Sequence, residues 1–364
     1  MGFGDQGSRM ALSPLEWLKR LPLWLRVWLV FPLTFLNGWL LLLLFNYFQP
    51  LTSLLVAAVI LAFLLNFPIE FLQKQGMPKG WSIGIVLVAT LLLVGFLGVT
   101  LVPLIVEQLS GLVASLPELI ESGTQQLQAL QQWAIAQRLP ISLGGVTEQA
   151  IARLSSLLQA VSSQLLNVIL SAINSLVNIF LLFVLTIFMV FNGKNAWKGI
   201  FSWLPSSWSS PLQESVQQTF QDYFVAQASL AGILSTAQTI IFLILGVPYA
   251  VLFGISIGLT TLVPYASGIT IILVSGLVAL QDFSLGLRVL IAAIVVGQVN
   301  DNVLAPRLVA GSIGLNPIWL IVALFVGSKI AGVLGLLVAV PIASVIKQTA
   351  DAMRSQDQLS FHDE

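Results

Sequence analysis

The sequence predicts an all-α, polytopic integral membrane protein with about eight membrane-embedded helical blocks. The 364-residue chain is 57% hydrophobic, only 8% of its residues are charged, and its mean hydropathy is +0.96. Soluble domains carry about 25% charged residues, so most of this surface cannot face water. Runs such as "WSIGIVLVATLLLVGFLGVTLVPLIV" at residues 81–106 are longer than the roughly 20 residues that a transmembrane helix needs.

Composition also excludes several kinds of site. The chain has no cysteine, which rules out disulfides, thiolate metal sites and cysteine nucleophiles. Its one histidine, His362, lies in a polar tail, so a histidine metal site or a catalytic triad is not expected. The formal net charge of zero gives no indication of a nucleic-acid partner. We therefore expect no enzymatic activity and no cofactor.

The apolar blocks fall at residues 21–47, 51–71, 81–106, 168–191, 226–245 and 247–280, with two more near 284–299 and 315–346. Basic residues collect in the N-terminal arm, after the second block, after the fourth block and in the C-terminal tail. These four places share one side if the spans alternate. By the positive-inside rule both termini are then cytoplasmic, in the cell (inner) membrane.

This pattern divides the chain into five regions. They are an N-terminal arm with three spans (1–106), a helical extracytoplasmic insertion (107–167), a fourth span with an interfacial helix (168–225), a C-terminal transport core (226–350) and a polar tail (351–364). The insertion contains a heptad-like apolar series that begins at Ile151. That series can be an oligomerisation seam or an amphipathic helix that packs on its own domain.

Two apolar blocks of the core are too long for single straight crossings. Residues 249–280 and 315–346 would each run ~48 Å as a helix, against ~30 Å of hydrocarbon. Both are interrupted near the middle, by "GLTTLVPYASG" (258–268) and "VGSKIAGVLG" (326–335). Each can be a re-entrant hairpin, which gives two span-plus-hairpin units of opposite orientation, a recurring transporter design. Each can instead be one tilted or kinked span, although a cytoplasmic Arg307 favours the hairpins.

Three charged residues of the core lie against or inside apolar sequence: Asp301, Arg307 and Lys329. A charge at membrane depth costs ~2.5–3.5 kcal/mol on insertion scales and is kept for pairing, ion binding or a substrate route. Amide side chains surround the acid, namely Gln298, Asn300 and Asn302. The cluster suits a small polyhydroxylated ligand or a cation. Alternatively, an Asp301–Arg307 salt bridge only fixes the loop.

The segment "QVNDNVLAPR" (298–307), followed by "GLNP" (314–317), resembles the signature of the autoinducer-2 exporter family. Further stretches match in the family's order: "AFLLNFPIEFLQKQGMPKG", "LVPLIVEQL", "GVPYAVLFGISIGLTTLVPY" and "GVLGLLVAVPIASVIK". The resemblance covers about residues 50–350. The chain departs from the family pattern after "VPY", where it reads Ala266-Ser267-Gly268, and before Gln227, where Val225 and Ala226 stand.

This resemblance implies a homo-oligomeric secondary transporter without ATPase machinery. The family name refers to export of a small quorum-sensing signal, and other members resemble cation/proton antiporters. Three hypotheses follow: an exporter of a small polar solute, a monovalent cation/proton antiporter, and a membrane scaffold that transports nothing.

The predicted pathway lies where the tips of the two interrupted blocks meet the polar segment. Asp301 would bind the cation or substrate, Arg307 would pair with it or with an anionic group, and Lys329 would hold its turn or act as a gate. The predicted pathway residues are Gln227, Pro264, Gln298, Asn300, Asp301, Asn302, Pro306, Arg307, Asn316, Pro317 and Lys329.

Overall fold

The computed structural model describes residues 47–137, 176–202, 206–308 and 315–360, together with 32, 35–40, 43–44 and a few isolated positions in 153–163. Helices and short turns make up all of this described part, which contains no strand. The chain divides into two compact units, residues 1–53 and 54–364. The predicted first span, the loop and heptad series of the insertion, and His362 lie outside the described residues, apart from isolated positions.

The first two helices, α1 (Gln49–Lys74) and α2 (Lys79–Ala136), are joined by a tight turn. Gly76 has a left-handed φ of 93°, which an L side chain rarely adopts. Its N–H donates to Gln73 O at 3.0 Å, and the next N–H donates to Leu72 O at 3.3 Å. This pair of bonds is a Schellman cap, which stops α1 and turns the chain.

Beyond this turn, α2 is one continuous helix of 58 residues, about 87 Å at 1.5 Å per residue. It therefore contains both the predicted third span and the first half of the predicted insertion, without a break near residue 106. Its buried leucines follow a 3-4 spacing, at Leu109, Leu112, Leu116 and Leu119. This stripe packs into the main apolar core of the protein and stabilises the helix past the predicted boundary.

The next two helices are α3 (Leu176–Phe201) and α4 (Ser206–Ile244). The predicted interfacial helix and the span after it form the single helix α4 of 39 residues. On α4, residues 215–244 are long and apolar enough to cross a membrane. Since every later helix of the core packs on α4 or on a neighbour of α4, positions along it serve as a depth scale.

The first long block is broken into α5 (Ala250–Thr260) and α6 (Ala266–Gln281), with left-handed Tyr265 before α6. Contacts with α2 give the direction of each piece. At the start of α5, the Tyr249 hydroxyl lies 3.5 Å from Ser115, and Leu252 N–H donates to Gln108 Oε1 at 2.8 Å. At the end of α6, Gln126 Nε2 donates to Leu280 O at 2.8 Å. Hence α5 runs back along α2, α6 returns, and the block is a hairpin.

Small residues let α5 pack closely on α4. Gly254 and Gly258 form a GxxxG pair on one face of α5, and facing positions of α4 are also small, namely Ala231, Ser235 and Thr239. A Cβ at either glycine would overlap α4 backbone atoms. Because no hydrophobic force drives helices together in lipid, such close backbone packing is a main source of association. The pairing of 254 with 239 and of 258 with 235 makes α5 antiparallel to α4.

The second span-plus-hairpin repeat begins with α7 (Phe283–Val299), which is capped by Asp282. The Asp282 carboxylate accepts from the N–H groups of Ser284 at 2.8 Å and Leu285 at 3.1 Å. Gly286 lies against Ala279 of α6, so α7 turns back along α6 and runs antiparallel to α4. It continues into a π-helical segment, Asn300–Leu304, and a short helix α8 (Ala305–Leu308).

The last helix, α9 (Pro317–Ser360), contains a reversal at Ala331 and Gly332. Gly332 has φ 57° and ψ −131°, a conformation that essentially only glycine adopts. Gly327 touches Gly335 and Ala339, although in a straight helix eight residues span ~12 Å. The second long block is therefore also a hairpin.

The structure thus confirms the all-α polytopic architecture with two interrupted blocks. Five described helices are long and apolar enough to cross a membrane, and three shorter apolar helices accompany them. The last of these five helices is not one straight crossing, because the chain reverses direction at Gly332. The two span-plus-hairpin repeats have opposite orientations. In the first repeat α4, α5 and α6 alternate in direction. In the second repeat α7 and the two arms of α9 also alternate, starting from the direction opposite to α4.

Replacing Gly258 by Leu should destabilise the protein by ~1–3 kcal/mol, because the side chain would overpack the α4–α5 contact. The measurement is the thermal unfolding midpoint of the purified protein in detergent. Gly276→Ala in α6 is the matched control, since a Cβ there meets nothing within 4 Å. An unchanged midpoint in Gly258→Leu would contradict the close packing of α5 on α4.

Candidate functional site

The break after α5 is held by a buried amide of α4. Gln227 is 9% exposed, and its Nε2 donates to Thr261 O at 2.9 Å. The backbone carbonyls at the end of α5 have lost their helical partners, and in hydrocarbon such groups must be bonded within the protein. Gln227 supplies this bond and fixes the first hairpin tip at its own level on α4. The predicted pathway residue Pro264 is half-buried in this tip.

The second hairpin reaches the same level of α4 from the other end. On its returning arm, Gln348 Oε1 accepts from Ser215 at 2.8 Å, and Val340 packs in one apolar cluster with Tyr223 and Phe224. This arm is therefore antiparallel to α4. The tip at Gly332 lies eight residues beyond Val340, about two helical turns towards the middle of α4. Val263 of the first tip packs against the same cluster, so the two hairpins meet there.

The polar segment after α7 approaches α4 at a similar depth. Gln238 of α4 is fully buried, and its Nε2 donates to Ala293 O at 3.0 Å. Asn300, the first residue after α7, lies seven residues beyond Ala293, which is about two turns closer to the level of Gln227. The π-helical segment and α8 both contact α4. Sequence positions that are widely separated thus converge on the middle of one helix.

Asn300 is the buried member of the polar segment, at 2% exposure. Its Nδ2 donates to Asp301 Oδ1 at 3.0 Å, while its own Oδ1 has no partner in the structure. A buried acceptor without a hydrogen bond costs ~1–3 kcal/mol. π-Helical turns are rare and occur frequently at functional sites, where the extra residue redirects side chains. Asn300 therefore presents a free carbonyl oxygen inside the core.

The other polar residues of this segment are exposed. Asn302 Nδ2 donates to Gln298 Oε1 at 2.6 Å and to Gln298 O at 3.0 Å, so the two amides form a pair one turn apart. Arg307 and Asp301 form no ion pair in the described structure, and the Asp301 carboxylate accepts from Asn300 instead. The salt bridge considered as a loop clamp is therefore not formed, and Pro306 and Arg307 lie on the exposed helix α8.

Two other predicted residues have a structural role. Asn316 Oδ1 accepts from Ile318 N–H at 3.0 Å, which caps α9, and Pro317 is the first residue of that helix. This arrangement is typical of a helix start. Lys329 is exposed and lies two residues before the reversal of the second hairpin. No contact between its side chain and Asn300 occurs in the described structure.

Further buried polar atoms of the core were not singled out from the sequence. Besides Asn300, the Oε1 of Gln238, the Oγ1 of Thr239 and the Oγ of Ser275 have no hydrogen-bond partner among the described residues. The signal for Gln238 was present, because it is an amide that lies just before the apolar run "IIFLIL" (240–245) within a predicted span. Among the described residues there is no group of three or more acidic or histidine side chains that could hold a metal ion.

A family model described as "AI-2E family transporter" matches residues 29–355. The chain belongs to the AI-2E family of transporters. It is 36% identical over 332 residues to "Putative transport protein sll0063" of Synechocystis, covering 90% of this chain and 84% of the relative. It is 33% identical over 325 residues to "Putative transport protein sll0060" of the same organism, covering 89% and 94%.

A more distant relative in the AI-2E family comes from Escherichia coli. The chain is 22% identical over 316 residues to "Putative permease PerM", covering 84% of this chain and 88% of the relative. The family is one of transporters and permeases rather than enzymes. Together with the long apolar helices, this membership makes the chain a multi-pass membrane protein and supports a role in membrane transport.

Replacing Gln227 by Met should destabilise the AI-2E core by ~1–3 kcal/mol, because Thr261 O would lose its buried donor while the side-chain volume stays similar. Thermal unfolding in detergent measures the effect. Gln281→Met is the matched control, since Gln281 is exposed at the end of α6 and has no side-chain bond. Equal midpoints for the two variants would mean that Gln227 does not hold the tip.

Proposed function

We propose that this protein is a secondary transporter that exports a small polar solute, of the autoinducer-2 type, across the cytoplasmic membrane. The observation that carries the proposal is the unpartnered Oδ1 of Asn300, buried in a π-helical turn at the depth where both hairpin tips end. Broken helices that meet near the middle of a bundle are tolerated in membranes where they line a cavity or a route.

The unused acceptors of the core suit a hydroxylated cargo. Asn300 offers a carbonyl oxygen and Asp301 offers the rest of its carboxylate, and elsewhere in the core Ser275 and Gln238 have unused oxygens. Every one of these atoms can accept a hydrogen bond from a hydroxyl group. A solute with several hydroxyls would satisfy buried acceptors that cost free energy when they are unpaired.

A monovalent cation/proton antiporter is the second candidate, and Asp301 is the observation that favours it. Its carboxylate accepts one bond, from Asn300, and forms no ion pair with Arg307. A carboxylate and neighbouring amide oxygens are the hard ligands that a sodium-like cation prefers. In this case Asp301 exchanges a cation for a proton, and Asn300 contributes its Oδ1 as a second ligand.

A flux assay in proteoliposomes distinguishes the candidates. Liposomes loaded with autoinducer-2 should release it when they contain the wild-type protein, and Asn300→Leu should reduce the release rate about tenfold or more, since one buried hydrogen bond to the cargo is lost. Asp301→Asn keeps the shape of the site and removes the charge. It should abolish sodium-dependent proton flux, read with a pH-sensitive dye, if the protein is an antiporter.

Thr236→Val is the control for this assay. Thr236 lies on the exposed side of α4 and bonds only its own helix, at Gly232 O, so its flux should match the wild type. Wild-type flux in both Asn300→Leu and Asp301→Asn would contradict a pathway at this segment. Absence of any flux of solute, sodium or protons would favour the scaffold hypothesis.

The placement of the chain in the cell is part of the same proposal. The basic clusters favour cytoplasmic N- and C-termini in the cell (inner) membrane, and the family resemblance leads us to propose a homo-oligomer in quorum-sensing export. Accessibility of a C-terminal tag to a membrane-impermeant reagent tests the topology, and native mass spectrometry of the solubilised protein tests the oligomer.

A further inference from the structure

A second polar feature lies away from the hairpin tips, at the start of α2. A half-open cavity of about 240 Å³ is formed between α1, α2, α3 and α4. Since liquid water takes about 30 Å³ per molecule, the cavity has room for about eight waters or a polar group of that size. It extends along α1 from Val59 to Gln73, which is about 21 Å.

The lining of this cavity is divided between an apolar end and a polar end. Val59, Ala62 and Phe63 of α1 line the apolar end. From the next turn of α1 onwards the lining is more polar, with Asn66, Glu70, Gln73, Lys79 and Gln217 beside Ile69 and Ile83. A division of this kind along one axis suits an amphiphile, which has an apolar and a polar portion.

The polar end holds one acid and one base that do not pair with each other. Asn66 Nδ2 donates to Glu70 Oε1 at 2.7 Å and to Gln221 Oε1 at 3.2 Å, and Glu70 is half-buried. These bonds fix the carboxylate and leave its Oε2, together with the Asn66 Oδ1, free to accept. Lys79 lines the same cavity without an ion pair in the described structure.

The free groups select the chemistry of a ligand. A carboxylate oxygen and an amide oxygen side by side can accept from a primary ammonium, whose three N–H groups all donate. Lys79 can bind an anionic group such as a phosphate. A ligand that uses both groups therefore carries an ammonium and an anion, with an apolar portion that lies against Ala62 and Phe63.

We propose that this cavity is a binding site for the head group and upper chain of an aminophospholipid of the surrounding bilayer. The ammonium lies at Glu70 and Asn66, the phosphate lies at Lys79, and the acyl chain follows α1 towards Val59 and leaves through the open side. A methylated head group has no N–H to donate, and an anionic head group without an ammonium meets the Glu70 charge unpaired.

Lipid binding to the full-length protein tests this assignment. Native mass spectrometry of the detergent-solubilised chain, with equal amounts of phosphatidylethanolamine, phosphatidylcholine and phosphatidylglycerol, should show about tenfold preference for phosphatidylethanolamine. Glu70→Gln keeps the Asn66 bond and should remove this preference. Lys79→Gln should weaken binding of all three phospholipids. Ala62→Leu fills the apolar end and should reduce lipid binding without changing either charged group.

Matched controls lie close to the site. Lys74→Gln changes a lysine of the same turn that does not line the cavity, and Glu118→Gln changes an exposed acid of α2, so both should keep the wild-type preference. Equal binding of the three lipids by the wild type, or an unchanged preference in Glu70→Gln, would overturn the proposal. A rise in the unfolding midpoint with soluble phosphoethanolamine as large as with the lipid would also overturn it, because the ligand would then be a free zwitterion.

Discussion

The hydrogen bond between Gln227 and Thr261 is the interaction on which the core depends most. Two of the long apolar blocks are interrupted, and each interruption frees backbone carbonyls and N–H groups that lipid cannot bond. At the first tip the Gln227 amide of α4 donates a hydrogen bond to one of these carbonyls. At the second tip Gly332 allows a turn tight enough for the two arms to pack on each other. Both solutions need close backbone approach, which explains the glycines at 254, 258, 327 and 335.

The sequence predicted the interruptions well, because they depend on local chemistry. Glycine and proline near the middle of a 32-residue apolar block indicate a break, and the excess over bilayer thickness indicates a hairpin. Pattern alone left a kinked span open, since the direction of the second arm is decided by contacts such as Leu280 with Gln126 and Gly327 with Ala339. Those contacts join residues that are not neighbours in the chain, and nothing in the sequence around each residue indicates its partner.

The site was predictable in its residue types and not in its geometry. The segment 298–307 was identified as polar sequence in an apolar context, yet only the structure separates buried Asn300 from its exposed neighbours. A π-helical turn depends on where one extra residue is accommodated, and it decides which amide faces α4. The same limit applies to α2, where no local signal at residue 106 could show that the helix continues, because Leu109 and Leu119 are stabilised by packing on distant helices.

The length of α2 has a mechanical consequence for the AI-2E fold. This one long helix is bonded to the first hairpin at the start of α5 and at the end of α6, through Gln108 and Gln126. These bonds hold α2 and the first hairpin together as one piece. The second hairpin packs on α4, so any displacement of the two hairpins relative to each other changes its contacts with α4.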